Sequence, residues 1–151
     1  MTALIVTTET RPMRLVRMGL LVLQALIAVT AISGGVALIL GSLNTDLATV
    51  LSPPAEYLAG TPFTSYLVPG LILAVVIGGL HVVGFMLGIT RHVLALIGAA
   101  AAGFALLIWV FVQMVVIPFS FLQAVYFAFG VVELGAVMLA LGILRSPPRT
   151  T

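Results

Sequence analysis

The chain contains no cysteine and no lysine. The first absence excludes a disulfide framework, a thiolate nucleophile and sulfur ligation of an iron–sulfur cluster. The second leaves six arginines to carry all of the fixed positive charge, so their positions hold whatever that charge can say about topology. Charge of either sign is scarce as well. Only 7% of the 151 residues are Asp, Glu, Lys or Arg, where soluble domains have about a quarter. Hydrophobic residues make up 62%, and the mean hydropathy is +1.34. That balance excludes a domain that folds in water. Six dispersed arginines also give no basic patch of the kind that holds nucleic acid.

Scarcity limits the chemistry too. There are two histidines, and bis-histidyl haem needs both at one depth, whereas His81 lies deep in an apolar run and His92 stands beside Arg91. A zinc hydrolase needs about three protein ligands and a water, and the apolar runs offer His81 and Glu133 only. No base and acid accompany Ser33, Ser65 or Ser120 in the way serine catalysis requires. The expectation is no metal and no cofactor, with an enzyme ranked behind the binding and transport classes.

What is present is four long apolar runs, about 15–41, 66–89, 93–117 and 119–144, each near or above the ~20 residues that a helix needs to cross a bilayer. They lack the alternation of a β-barrel strand. The first run follows basic residues and contains Ala31-Ile32-Ser33, a small-residue pattern of the kind that ends a signal peptide. It continues apolar to Leu40, however, and reads as a retained anchor. The fold class is therefore an all-α membrane protein, one four-transmembrane-helix bundle over 1–151, with an external loop at 42–65.

The arginines orient it. Arg11, Arg14 and Arg17 precede the first run, Arg91 separates the second from the third, and Arg145 and Arg149 follow the fourth, while the other two connections have no basic residue. Short positively charged loops stay on the cytoplasmic side, which places both termini there. Arginine without lysine also points to a GC-rich bacterial genome, so the expected location is a bacterial cytoplasmic membrane. Within the loop, Ser52-Pro53-Pro54 and Gly60 bracket a short helix over 54–59. Thr61-Pro62 gives a further start signal, so the second helix is expected to begin there and bend at Pro69-Gly70, where a backbone bond is lost.

Each run carries one strongly polar side chain on a face of small residues: Gln24, His81, Gln113 and Glu133. Small faces are where membrane helices approach, so these groups are expected to point inward. At 1.5 Å per residue, Gln24 stands ~10 Å from Arg17, His81 ~15 Å from Arg91 and Glu133 ~18 Å from Arg145, which puts these three in one middle layer. Gln113, Gln123, Tyr126 and Trp109 form an outer polar layer, with the two aromatics alternatively serving as interface anchors. A carboxylate in mid-span costs several kilocalories unless it is protonated, paired or hydrated. Glu133 is thus either a proton or binding site, with His81 and Gln24 as neighbours, or a hydrogen-bonded strut that fixes helix order.

In size, topology and composition the chain resembles small four-span bacterial integral membrane proteins. It also resembles the small multidrug transporters in length, span number and a single membrane-embedded glutamate. In that family the glutamate lies in the first helix, where this chain has Gln24, so no activity is carried over. The expected role is a non-catalytic component or partner-binding subunit. The alternative is a small proton-linked transporter, or a small-molecule or lipid-binding membrane protein, that uses Glu133. Expected partners are the lipid bilayer and either a second copy or another membrane protein.

Overall fold

A computed structural model describes residues 11–143; Leu144, Arg145 and Arg149 lie outside them. Five helices account for most of the described chain, and no strand occurs among the described residues. Helix α1 spans Arg11–Leu43 and α2 spans Thr45–Leu51. Helix α3 spans Leu67–Ile89, α4 Ala95–Val116 and α5 Phe121–Ala140. Of these, α1, α3, α4 and α5 are each long and apolar enough to cross a membrane.

Helix α2 occupies part of what reads from sequence as loop. Asn44 starts it, its Oδ1 accepting from the backbone N–H of Asp46 at 2.9 Å and of Leu47 at 3.2 Å. That satisfies two of the donors a helix start leaves bare. Asp46 then sits in the first turn, where its charge suits the helix dipole. The short helix expected over 54–59 is a 3₁₀ turn at Ala55–Leu58, followed by Gly60 at φ 82°. The Tyr66 hydroxyl donates to the Pro54 carbonyl at 2.8 Å and ties this segment to the head of α3.

The expected start of the second helix at Thr61-Pro62 is corrected, and so is the lost backbone bond expected at Pro69-Gly70. Helix α3 begins at Leu67, which puts Pro69 in the first turn, where a missing N–H costs no helical bond. The irregularity falls later, as a π-helical stretch at Ile72–Gly78. The fourth helix ends at Ala140, short of the expected 144. Gly142 at φ 75° follows, its N–H bonding the Leu139 carbonyl at 3.1 Å while the Ile143 N–H bonds Met138 at 3.1 Å. This left-handed cap closes the carbonyls of the last turn.

The four long helices form a closed ring in which α1 packs on α3, α3 on α4, α4 on α5, and α5 back on α1. The tightest approach is α1 to α3. A Cβ on Gly35 would lie 2.5 Å from the Gly70 oxygen, and one on Gly70 would lie 2.8 Å from the Gly35 oxygen, so only glycine allows this backbone contact. Large apolar side chains such as Val22, Val29, Ile108 and Val132 face outward and are more than half exposed. Arg17 and Arg91 mark one end of the bundle, and α2 with the 3₁₀ turn marks the other.

Candidate functional site

The side chains buried in this ring include four polar ones: Gln24 on α1, His81 on α3, and Gln123 and Glu133 on α5, none more than 3% exposed. His81 follows the π-helical stretch closely, and its Nδ1 lies 2.7 Å from the Ile77 carbonyl oxygen. A carbonyl can only accept, so Nδ1 carries a proton and donates it. The other ring nitrogen, Nε2, lies 3.2 Å from Glu133 Oε2.

A hydrogen bond there needs one proton between the two atoms. It resides either on Oε2, facing a neutral imidazole, or on Nε2, giving an imidazolium against a carboxylate. In both arrangements the pair carries no net charge. That is how an acid and a base are held in an interior where an isolated charge would be very costly.

Glycines make room for the pair and its neighbour. On α4, a Cβ at Gly103 would lie 3.5 Å from Glu133 Cγ, and on α3 a Cβ at Gly84 would fall 2.6 Å from Gln24 Nε2. Gly84 stands three residues past His81, so Gln24 lies about one turn from the pair, toward the arginine end. Two atoms in this layer are buried without a hydrogen-bond partner, Gln24 Nε2 and Glu133 Oε1. Ile27, Ala31, Ile77, Leu106 and Val110 pack on the loop side of the layer, and Leu20, Ala99 and Val137 on the arginine side. The structure therefore joins His81 to Glu133 and sets Gln24 beside them between two apolar clusters.

The outer residues also converge. Trp109, Gln113, Gln123 and Tyr126 line one cavity of about 260 Å³ that reaches Pro53 of the loop. Tyr126 meets Phe129 edge to face, with centroids 5.9 Å apart. Gln113 is half-buried, whereas Gln123 is buried and has a local duty. Its Oε1 accepts from the Ser120 N–H at 2.9 Å, and its own N–H donates to Ser120 Oγ at 3.4 Å, a reciprocal cap that starts α5. Its Nε2 is left buried and unpartnered. The Ser-x-x-Gln signature of this cap was present in the sequence at 120–123 and gives Gln123 a role that its place on a polar stripe does not. A larger apolar cavity of about 440 Å³ lies beside α3 and α4 and shares Trp109 and Gln113. Neither cavity is lined by His81 or Glu133. Among the described residues, no group of three His, Cys, Asp or Glu is placed to hold a metal.

Comparison with protein-family models, with curated proteins and with solved structures finds no match to this chain.

Proposed function

We propose that the chain is a multi-pass protein of a bacterial cytoplasmic membrane, with both termini on the cytoplasmic side, that serves as a non-catalytic component or partner-binding subunit. Four helices of spanning length with apolar outward faces support the membrane placement. Arg17 and Arg91 at one end, with no basic residue in the described segment at the other, support the orientation.

The observation that carries the subunit reading is the His81–Glu133 bond, buried at 0% exposure for both residues between two packed apolar clusters. A polar pair of zero net charge in a dry layer acts as glue that sets helix order. The outer faces and the two ends remain to meet partners. Cysteines introduced at positions 11 and 149 are expected to be shielded from impermeant thiol reagents in intact cells, and one at position 46 to react. Labelling at 11 or 149 would overturn the orientation.

A second reading, a proton-linked carrier or binding protein, draws on Glu133 Oε1, which is buried without a partner, and on the π-helical stretch before His81, a distortion common at functional sites. In that case Glu133→Gln abolishes solute-coupled proton movement in reconstituted vesicles and leaves the fold intact.

A further inference from the structure

Two glycines draw the loop-side half of α3 onto α1. A Cβ on Gly70 would lie 2.8 Å from the Gly35 oxygen, and one on Gly78 would lie 2.5 Å from Ile32 Cγ1. The part of α3 up to Gly78 accordingly packs mainly on α1, and only the part from Gly79 onward packs closely on α4. Helices α3 and α4 therefore part toward the loop, and the crevice between them has a volume of about 440 Å³. Its walls include Val76 on α3 and Ile108 and Val112 on α4, all three exposed on the outer face. Leu58, Phe63 and Tyr66 close its loop end. Its mouth thus faces sideways, where the hydrocarbon of a bilayer would lie.

Along Ile77, Trp109 and Gln113 the crevice adjoins the cavity of about 260 Å³ inside the bundle. That cavity is built on two matched pairs. Gln113 stands one turn outward of Trp109 on α4, and Gln123 one turn outward of Tyr126 on α5, so two amides form an outer level and two aromatics a deeper one. Two of these groups are fixed as donors. The indole N–H of Trp109 can do nothing else. Gln123 commits Oε1 to the Ser120 N–H at 2.9 Å, so the cap settles which end of its amide is free. That end, Nε2, belongs to a residue 3% exposed and has no hydrogen-bond partner.

These features define an occupant. Both connections at this end, 44–66 and 117–120, lie wholly within the described residues, and among the described residues no charged side chain lines either space. A neutral molecule fits such a lining, because a charge would have no counter-ion there. Its head is flat enough to lie against Trp109 and Tyr126 and carries an acceptor for Gln123 Nε2, and its hydrocarbon occupies the crevice. A ring with carbonyl oxygens and a prenyl tail has that chemistry. A diacylglycerol has the acceptors and the hydrocarbon but no ring.

We infer that the loop end of the bundle binds one prenylated quinone, with its ring beside Trp109 and Tyr126, a carbonyl oxygen on Gln123 Nε2 and its tail in the α3–α4 crevice. The inference rests on the membrane-spanning reading, and the test separates the two. Recovery of the chain from cells in soluble form without detergent would sink that reading by itself. For the site, Trp109 is the only tryptophan of the 151 residues, so its fluorescence reports on this place alone. Purified protein in detergent is titrated with a naphthoquinone that bears a short prenyl tail.

Saturable quenching at one quinone per chain is expected. Gln123→Glu keeps an oxygen to cap α5 and removes the free N–H, and it raises the dissociation constant about tenfold, the effect of one lost hydrogen bond. Val76→Phe narrows the crevice from an exposed position, keeps the helical circular dichroism and weakens binding by a similar factor. Quenching that never saturates, or an unchanged dissociation constant in either variant, overturns the proposal. Displacement of the quinone by an equal amount of diacylglycerol overturns it in favour of a crevice for any neutral lipid.

Discussion

The hydrogen bond between His81 and Glu133 allows a prediction in which sign matters more than size. Nδ1 of His81 is committed as a donor to the Ile77 carbonyl, so in the neutral ring Nε2 must accept. Glu133→Gln keeps a donor at that place, since its amide N–H can replace the acid O–H, and the expected change in stability is within ~0.5 kcal/mol. Glu133→Leu strands Nε2 in a layer with no exposure, and His81→Leu strands a carboxyl group one of whose oxygens already lacks a partner. Each single apolar change should cost about 1–3 kcal/mol, the range for a buried polar group left unsatisfied.

The double change to leucine removes both polar groups and should cost less than the two singles together. Interhelical bonds in membrane proteins couple by about 0.6 kcal/mol on average and ~1.7 at most. The full burial of both side chains between two apolar clusters argues for the upper part of that range, about 1–1.7 kcal/mol. Reversible unfolding in mixed micelles, followed by far-ultraviolet circular dichroism across the double-mutant cycle, measures it. If Glu133→Gln proves as destabilising as Glu133→Leu, Nε2 is not an acceptor from residue 133 and the arrangement with a neutral imidazole fails.

Four further substitutions probe the frame around the pair. Gly35→Ala drives a methyl group into the α1–α3 backbone contact and should cost about 1–3 kcal/mol, whereas Gly19→Ala, which meets nothing, should be neutral or stabilising by up to ~1 kcal/mol; thermal unfolding of both variants separates packing from propensity. Arg91→Gly relieves a left-handed residue and should raise stability by about 1 kcal/mol, so an unchanged or lower melting temperature in lipid-free detergent would refute the strain. Ser120→Ala removes one half of the reciprocal cap and should cost about 1 kcal/mol, with faster amide exchange at Gln123, whose N–H then keeps only the Ser120 carbonyl at 3.1 Å.

Much of the architecture was readable because lipid-scale helices leave a strong signal. Runs of Leu, Val, Ile and Ala can be counted, and the four long helices fall within about four residues of the runs at 15–41, 66–89, 93–117 and 119–144. Helix ends were less legible, because they depend on caps of one or two residues. Gly142 stops α5 four residues before its apolar run ends, and Asn44 starts a helix in a segment that composition alone assigns to loop. Pro69 misled because a proline inside an apolar run reads as the loss of a helical bond, whereas in the first turn of α3 its missing N–H costs none. The π-helical stretch left no mark that periodicity could detect. In the polar layer, small-residue faces and helix rise were enough to bring His81 to Glu133 across 52 positions of sequence. The direction of each hydrogen bond was beyond them, since it depends on the Ile77 carbonyl and on side-chain torsions.

One rule of low-dielectric interiors ties together three of the four unpartnered buried side-chain atoms among the described residues, those on the long helices: a polar group kept from water must be met by something else. Gln24 Nε2 and Gln123 Nε2 are donors, and each of these residues lines a cavity, one at the arginine end and one beneath the loop. Glu133 Oε1 is an acceptor in the packed layer between those cavities. A donor beside a cavity can be satisfied by a visiting molecule, so the two glutamines mark where the bundle can bind without rearranging. An acceptor in a sealed layer can be satisfied only by a proton or by movement of the helices, and Glu133 already shares one proton with His81. The carrier reading therefore requires α3 or α5 to shift enough to open that layer. The π-helical stretch beside His81, an irregular turn within an otherwise regular helix, is the place in α3 where such a shift would start.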